Sequence, residues 1–184
     1  GVTDANAHPH LDCKKEIAVV HNGIIENYAE IKQELIEKGH TFISETDTEV
    51  VPHLIEENLK NEGFAHSVRS AFNRLKGMNA IVVAYSPSSQ IVAAKTGSPL
   101  AVGVGADGLY GSSDISGVVS HTRNVLFMKD QEMVILGEEL QLIGLKDGEK
   151  IEPEIEQIDW KIEAADMGQY PHFMIKEIHE QPTV

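Results

Sequence analysis

The sequence places two groups that could stabilise an oxyanion next to each other, at Asn22 and Gly23. They follow the apolar run 17–20, and a helical pattern begins a few residues later. Asn22 offers a side-chain amide donor, while Gly23 can adopt a positive φ and lets another group approach its backbone N–H closely. Two donors aimed at one point are what an oxyanion requires, so the pair is a candidate oxyanion hole.

The same dipeptide has a simpler interpretation. An Asn-Gly pair between a strand and a helix commonly forms a sharp backbone turn followed by a helix cap. Asn22 and Gly23 alone do not distinguish the two interpretations, so the surrounding sequence has to decide.

The segments on either side of this pair predict a strand and a helix. Residues 16–21 predict a core strand, and the lack of polar alternation in this run indicates burial on both faces. A helix is predicted from Glu26 or Asn27 to about residue 38, with Ile31 and Leu35 on one side. Gly39 then provides a stop at the helix C-terminus.

A second polar motif begins at Thr46. Residues 46–49 predict a capping box, with Thr46 as the N-cap and Glu49 at the third position of a helix that reaches about Asn61. The structural interpretation of Asp47 is a first-turn carboxylate that complements the helix dipole. A carboxylate held rigidly at a helix start can also pair with an ammonium ion, so both roles stay open.

Short strands dominate the sequence after Gly77. Residues 80–85 and 90–95 predict an antiparallel hairpin, and further short strands joined by tight turns continue to Leu145. Helices that follow a first strand and precede many short strands indicate an α+β fold with stacked sheets.

Composition limits the range of functions. The 184 residues are enough for one domain with a real core, and 41% of them are apolar, as in an ordinary globular protein. The formal charge of −14 argues against non-specific binding to nucleic acid or to an anionic membrane. No apolar stretch approaches the length of a membrane span. We therefore expect neither nucleic acid nor membrane as a partner.

The single cysteine, Cys13, excludes a disulfide framework and suits a reducing cytoplasm. We interpret it as a turn thiol without a catalytic role. His8 and His10 could suggest a metal site with His21 or Cys13, but a histidine pair without a clear set of further ligands is weak evidence. We expect no metal, and the absence of a dinucleotide fingerprint or P-loop predicts no cofactor.

Four segments, taken together, resemble one family. Residues 21–28 resemble the central motif of the glutamine–fructose-6-phosphate amidotransferases, which carry a class II glutamine amidotransferase domain. Residues 6–10 and 44–50 resemble the family's preceding segment and its glutamine-binding segment. Residues 176–182 resemble the end of its glutaminase domain, and this ending singles out the glucosamine-forming member among class II amidotransferases.

The resemblance implies a fold and a site. The fold would be the four-layer αββα fold of N-terminal-nucleophile hydrolases over residues 1–184, with 170–184 leading into the linker to sugar-isomerase domains absent from the chain. Asn22 (side chain) and Gly23 (backbone N–H) would form the oxyanion hole. Asp47 would bind the α-amino group of L-glutamine, and His8 would add a supporting hydrogen bond. Two further stretches, 97–100 and 112–114, also resemble family segments, the first of which lines the glutamine site.

The reaction implied for the full-length enzyme is hydrolysis of the glutamine side-chain amide by an attacking thiolate. The ammonia would pass to fructose 6-phosphate on the isomerase domains and give glucosamine 6-phosphate. The full-length protein is expected to be a cytoplasmic homodimer.

One departure from the family pattern concerns the nucleophile, which in the family is an N-terminal cysteine. This chain begins with Gly1, which can at most match the last residue of the family's Arg-Trp-Ala-Thr-His-Gly segment. We therefore expect an N-terminally truncated domain that is inactive alone. Two alternatives remain: a catalytically dead module that binds glutamine or a partner, and the glutaminase of another class II amidotransferase, such as asparagine synthetase or amidophosphoribosyltransferase.

Overall fold

A computed structural model of the protein describes residues 2–88, 90–137, 139–159 and 170–180. The described helices, after a 3-10 turn at Asp4–Asn6, are α1 (Tyr28–Glu37), α2 (Val50–Asn58), α3 (Phe64–Phe72), α4 (Ser116–Val119) and α5 (Phe173–Glu180). The described strands are β1 (His10–Leu11), β2 (Ile17–Gly23), β3 (Asn79–Tyr85), β4 (Ile91–Thr96), β5 (Ala101–Val104), β6 (Leu109–Ser112), β7 (Asn124–Phe127), β8 (Glu132–Leu136), β9 (Leu140–Gly144), β10 (Lys150–Ile151) and β11 (Ile155–Gln157).

The described strands form two antiparallel sheets. The larger sheet has the order β1-β2-β3-β4-β8-β9-β10, and the smaller one has the order β11-β7-β5-β6. The predicted hairpin is confirmed as β3 and β4, with Val83 opposite Val92. Because β2 pairs with β3 along its whole length, the hairpin fixes the position of the Asn22–Gly23 pair.

The first layer consists of α1, α2 and α3, which cover one face of the larger sheet. Leu35, Leu54 and Val68 project from the three helices and pack in one buried cluster with Val19 and Ile81 of the sheet. Each buried side chain of this size stabilises the folded state by about 1.5–3 kcal/mol, so the helical layer holds β2 and β3 in place.

The opposite face of the larger sheet packs on the smaller sheet. Val134 of the larger sheet shares a buried cluster with Val102 and Leu126 of the smaller one. On the outer face of the smaller sheet, Val118 of α4 packs with Val125. The layers therefore run helix, sheet, sheet, helix, and the predicted αββα architecture is confirmed.

The prediction that the first core strand is buried on both faces is wrong. Ile17 and Val19 are buried against the helical layer, but Val20, on the face toward the smaller sheet, is 41% exposed. The smaller sheet packs over the neighbouring strands, so that face of β2 stays open and can line a cavity.

Within the described residues, no helix is long and apolar enough to cross a membrane. The C-terminal segment predicted to lead into a linker contains α5. Gln181 and Pro182, which ended the matching motif, lie outside the described residues.

Candidate active site

The two candidate oxyanion donors lie at the end of β2, which continues through Gly23. The strand was predicted to end at His21, but the ladder to β3 extends further and places Gly23 opposite Asn79. The expected positive φ of Gly23 is confirmed at +138°. A Cβ atom at this position would lie 2.2 Å from the carbonyl oxygen of Met78, so the close approach of the two strands requires glycine.

A cavity of about 210 Å³ opens beside Asn22. The Asn22 side chain is exposed, and no residue in the described part of the chain forms a hydrogen bond with its amide. The amide can therefore donate to a bound group. The cavity is lined by Val20, His21, Asn22, Ala80, Val82, Pro99, Leu100, Gly111, Ser112 and Ser113. Two stretches that resembled family segments, 97–100 and 112–114, thus contribute to the wall that faces Asn22.

His21 connects this strand end to its surroundings through both ring nitrogens. Nδ1 lies 2.9 Å from the hydroxyl of Thr48, and Nε2 lies 2.9 Å from Oδ1 of Asn79. Because that oxygen only accepts, Nε2 carries the proton and Nδ1 accepts from the hydroxyl. Burial of the ring lowers the pKa of His21, although the hydrogen bond to Asn79 opposes this shift. The imidazole is therefore held neutral and oriented.

Because His21 is buried in its neutral form, we expect the protein to lose stability toward unfolding on mild acidification. Since the pKa of His21 in the folded state is below its ordinary value of 6.5, the unfolded chain binds a proton first as the pH falls. The free energy of unfolding should then decrease below about pH 6.5, by at most about 1.4 kcal/mol per pH unit for this group. His21→Gln should flatten the dependence, measured by urea unfolding at several pH values.

The control for this experiment is His66→Gln, which removes an exposed histidine on α3. This variant removes one imidazole and leaves the buried network of His21, Thr48 and Asn79 intact, so comparing the slopes of the two variants isolates the contribution of that network. His10, whose pKa is also lowered by burial, remains in both variants and contributes equally to both curves. An unchanged slope in His21→Gln would show that another group controls the acid sensitivity.

Asp47 lies next to the same strand end. Its Oδ2 accepts a hydrogen bond from the N–H of Ile25 at 2.7 Å, two residues after Gly23. Asp47 is half-buried, and among the described residues none donates to its other carboxylate oxygen. It does not line the 210 Å³ cavity. The candidate oxyanion donors and the carboxylate therefore lie at the two ends of the backbone segment 23–25.

The predicted capping box is wrong, because α2 begins at Val50 and Glu49 occupies the N-cap position. The Glu49 carboxylate instead accepts hydrogen bonds from the N–H groups of Ile43 and Ser44 and from the Ser44 hydroxyl. Burial alone would raise the pKa of Glu49, but these hydrogen bonds more than offset it, so the pKa lies below its ordinary value. Glu49 thereby fixes the loop that leads to Asp47.

His8 is exposed and lies outside the cavity lining. Its ring packs edge-to-face on His10, with centroids 5.2 Å apart. His10 is buried, and its Nε2 lies 3.1 Å from the hydroxyl of Thr46, the residue before Asp47. The structure thus connects His8 to the segment of Asp47 through two intervening side chains.

The structure therefore brings the four sequence-derived site residues into one region. Asn22 and Gly23 provide donors at the strand end, Asp47 provides a fixed anion beside it, and His8 lies on the adjoining loop. Such an arrangement suits a small ligand that carries both an ammonium group and a polarisable carbonyl. The supporting network of His21, Thr48 and Asn79 was not identified from the sequence. Two of its members lay in the matching motifs, but nothing indicated a partner 58 residues further along.

A comparison of the sequence with known protein families gives a match that includes the candidate site. The model of a family described as "Glutamine amidotransferase domain" matches residues 2–119. This range contains Asn22, Gly23, Asp47 and His8, and also the cavity walls at 99–100 and 112–113.

Curated relatives match almost the whole chain. A glutamine–fructose-6-phosphate aminotransferase (isomerizing) of Methanothermobacter thermautotrophicus is 48% identical over 184 residues, covering 98% of this chain and 31% of the relative. Proteins of the same name from Thermus thermophilus and Methanocaldococcus jannaschii are each 44% identical, covering 99% and 100% of this chain and 30% and 18% of the relatives. The chain thus spans less than a third of the length of these relatives.

Solved structures share the fold. A glutamine phosphoribosylpyrophosphate amidotransferase from B. subtilis, complexed with ADP and GMP, aligns with a TM-score of 0.68 at 24% identity, covering 80% of this chain and 33% of that chain. The structure of an allosteric regulatory enzyme of purine biosynthesis aligns with a TM-score of 0.62 at 26% identity, covering 71% of this chain and 29% of that chain. The likeness supports the N-terminal-nucleophile type of fold, while the expected N-terminal truncation stays a prediction.

Proposed function

Because this chain belongs to the glutamine amidotransferase domain family, we propose that it is the glutaminase domain of a glutamine–fructose-6-phosphate aminotransferase. The observation that carries the proposal is the end of β2, where Asn22 projects beside a cavity and Gly23 adopts a φ of +138°. Relatives that bear this enzyme's name support the choice of reaction, since they match nearly all of the chain at 44–48% identity.

The proposed chemistry is hydrolysis of the side-chain amide of glutamine. A thiolate adds to the amide carbon, and the electron pair of the carbonyl bond moves to oxygen. The Asn22 amide and the Gly23 N–H donate hydrogen bonds to this oxyanion. The proton that the thiol has lost is transferred to the nitrogen, so collapse of the intermediate expels ammonia and leaves a thioester. Water then hydrolyses the thioester to glutamate and restores the thiol.

The proposal assigns the nucleophile to a cysteine outside the 184 residues. Cys13 is the only cysteine of the chain, and it does not line the cavity beside Asn22. Its sulfur lies instead 3.5 Å from Nδ1 of His53, on α2. The 184-residue chain is accordingly expected to be inactive in isolation.

The substrate's α-amino group is assigned to Asp47, with His8 in a supporting role. One carboxylate oxygen of Asp47 is engaged by the N–H of Ile25, and the other can accept from the ammonium group. His8 lies one buried ring away from Thr46, so it can adjust the position of this segment without contacting the cavity.

Replacing Asp47 with asparagine should weaken glutamine binding selectively. The asparagine carbonyl can still accept from the N–H of Ile25, but the charge that pairs with the ammonium group is lost. A charge-assisted hydrogen bond contributes about 1.5–3 kcal/mol, so KM for glutamine should rise by about 10–100-fold with a smaller change in kcat. Steady-state glutamate release by the full-length protein measures both constants.

Asp4→Asn serves as the matched control, because Asp4 is an exposed aspartate in the N-terminal 3-10 turn. Its KM should equal that of the wild type. A KM near the wild-type value in Asp47→Asn would remove Asp47 from the substrate site and leave it only the role of anchoring Ile25.

The acceptor of the ammonia is fructose 6-phosphate. Fructose 6-phosphate would bind to further domains of the full-length protein, which is expected to be a cytoplasmic homodimer. The ammonia released at the cavity would be transferred to this sugar phosphate to give glucosamine 6-phosphate.

The decisive experiment incubates the full-length protein with glutamine and fructose 6-phosphate and measures both glutamate and glucosamine 6-phosphate. Equal amounts of the two products are expected. Glutamate without the amino sugar would indicate the glutaminase of another amidotransferase. Glutamine binding by calorimetry without either product would favour the non-catalytic binding module.

A further inference from the structure

A cluster of potential metal ligands lies away from the cavity, where two loops meet α2. It is formed by Cys13, His40, His53 and Glu56, which we name the Cys/His/Glu cluster. Cys13 comes from the β1–β2 connection, and His40 follows the end of α1. His53 and Glu56 lie three residues apart on α2 and therefore project from the same face of the helix. One ligand atom from each residue lies within 4.8 Å of all the others.

Four of the six distances between these atoms match those of a tetrahedral zinc site. The Cys13 sulfur lies 3.7 Å from Nδ1 of His40 and 3.5 Å from Nδ1 of His53. Oε2 of Glu56 lies 3.1 Å and 3.6 Å from the same two nitrogens. Around one zinc ion, a sulfur and a nitrogen ligand are about 3.5 Å apart, and two nitrogen or oxygen ligands are about 3.3 Å apart.

Both histidines are oriented as metal ligands usually are. Each presents Nδ1 to the centre of the cluster and directs Nε2 toward an outer carboxylate. Nε2 of His40 lies 3.1 Å from Oε2 of Glu57. Nε2 of His53 lies 3.7 Å from Oε1 of Glu49 and is buried without a hydrogen-bond partner among the described residues. The Glu57 carboxylate fixes the tautomer of His40 in the way that is typical of zinc-bound histidines, and Glu49 lies on the corresponding side of His53.

The chemistry of the cluster also suits a divalent cation. A thiolate and a carboxylate together carry two negative charges, which balance one Zn²⁺, and the thiolate and two imidazoles are ligands that zinc prefers to magnesium or calcium. The N–H of Thr41 already points at the Cys13 sulfur, at 3.4 Å, and would stabilise a thiolate.

We propose that the Cys/His/Glu cluster binds one Zn²⁺ ion as a structural site with four protein ligands. The ion joins the β1–β2 connection and the α1–α2 connection to α2. Because none of the four residues lines the cavity beside Asn22, the ion has no part in the glutaminase chemistry. No short spacing of ligands indicates this site in the sequence, since 27 and 40 residues separate Cys13 from the two histidines.

The test measures the metal content of the untagged protein, purified without chelators, by mass spectrometry. One equivalent of zinc per chain is expected in the wild type and its loss in Cys13→Ser and in Glu56→Gln. The matched control is His66→Gln, because the exposed His66 and the half-buried Glu62 form a histidine–carboxylate pair away from the cluster, with 3.3 Å between Nδ1 and Oε2. This variant should keep the zinc. Chelation should lower the Tm of the wild type and of the control, but not that of Cys13→Ser.

A cobalt titration of the zinc-free wild type tests the ligands without any substitution. Tetrahedral Co²⁺ gives visible d–d bands, and a thiolate ligand adds a charge-transfer band in the near ultraviolet. Both features are expected to appear with one equivalent and to disappear on adding zinc. Absence of the thiolate band, or equal zinc content in Cys13→Ser and the wild type, would overturn the proposal, since the metal would then be absent or held elsewhere. Neither result depends on glutaminase activity.

Discussion

Replacing Asn22 with alanine is expected to reduce glutamine turnover by the full-length protein by about 10²–10³, with KM for glutamine close to the wild-type value. The side-chain amide is exposed at the cavity and forms no hydrogen bond with the described residues, so we expect its removal to leave the fold unchanged. The missing donor matters only when charge develops on the carbonyl oxygen. A loss in kcat at constant KM is the signature of an interaction made in the transition state.

The control is Asn61→Ala, at an exposed asparagine after the end of α2, which should keep full activity. Unfolding curves of the two variants should coincide, so that a fall in turnover cannot be attributed to unfolding. If Asn22→Ala turns over glutamine at the wild-type rate, the Asn-Gly pair is only a structural turn, which is the simpler interpretation of the sequence.

The local features around this pair could be predicted because they depend on neighbouring residues. The apolar run before Asn22, the positive φ of Gly23 and the helix ending before Gly39 follow from the types of a few adjacent residues, and the structure confirms each. The layer order followed from the family resemblance and was not available from periodicity alone.

The features that were missed depend on residues distant in sequence. The strand continues to Gly23 because Asn79 lies opposite, and local sequence contains no sign of this pairing. Likewise, α2 starts late because the Glu49 carboxylate is bound by the N–H groups of Ile43 and Ser44 and cannot cap the helix. In both cases tertiary hydrogen bonds override a local pattern.

The Cys/His/Glu cluster shows the same limit more strongly. Metal ligands can be found from a sequence when they occur at short, regular spacings, as in zinc fingers. Here only His53 and Glu56 are near each other in the chain, and a pair three residues apart on a helix is common without a metal. The packing of α1, β1 and β2 against α2 is what brings the four residues together.

Replacing Gly23 with alanine should lower the stability of the protein as well as its activity. The φ of +138° disfavours any residue with a Cβ, at about 1–3 kcal/mol. The new methyl group would also lie 2.2 Å from the Met78 carbonyl oxygen, and relieving this overlap should cost about a further 1–3 kcal/mol. Chemical denaturation of the variant and the wild type measures the sum of these two contributions as a loss in the free energy of unfolding.

Gly39→Ala separates the two contributions, because Gly39 has a φ of +94° but no atom within 4 Å of its potential Cβ. This variant should lose only the part of the unfolding free energy that comes from the positive φ. The difference between the two variants therefore measures the overlap with the Met78 carbonyl, which lies just before β3. In Gly23→Ala the strand end must move away from Met78, which also displaces the N–H proposed to bind the oxyanion. Glutamate release by the folded fraction should therefore fall well below that of Gly39→Ala. Equal stability and equal turnover in the two variants would show that β2 and β3 do not approach this closely at Gly23, and would remove the geometric basis of the oxyanion hole.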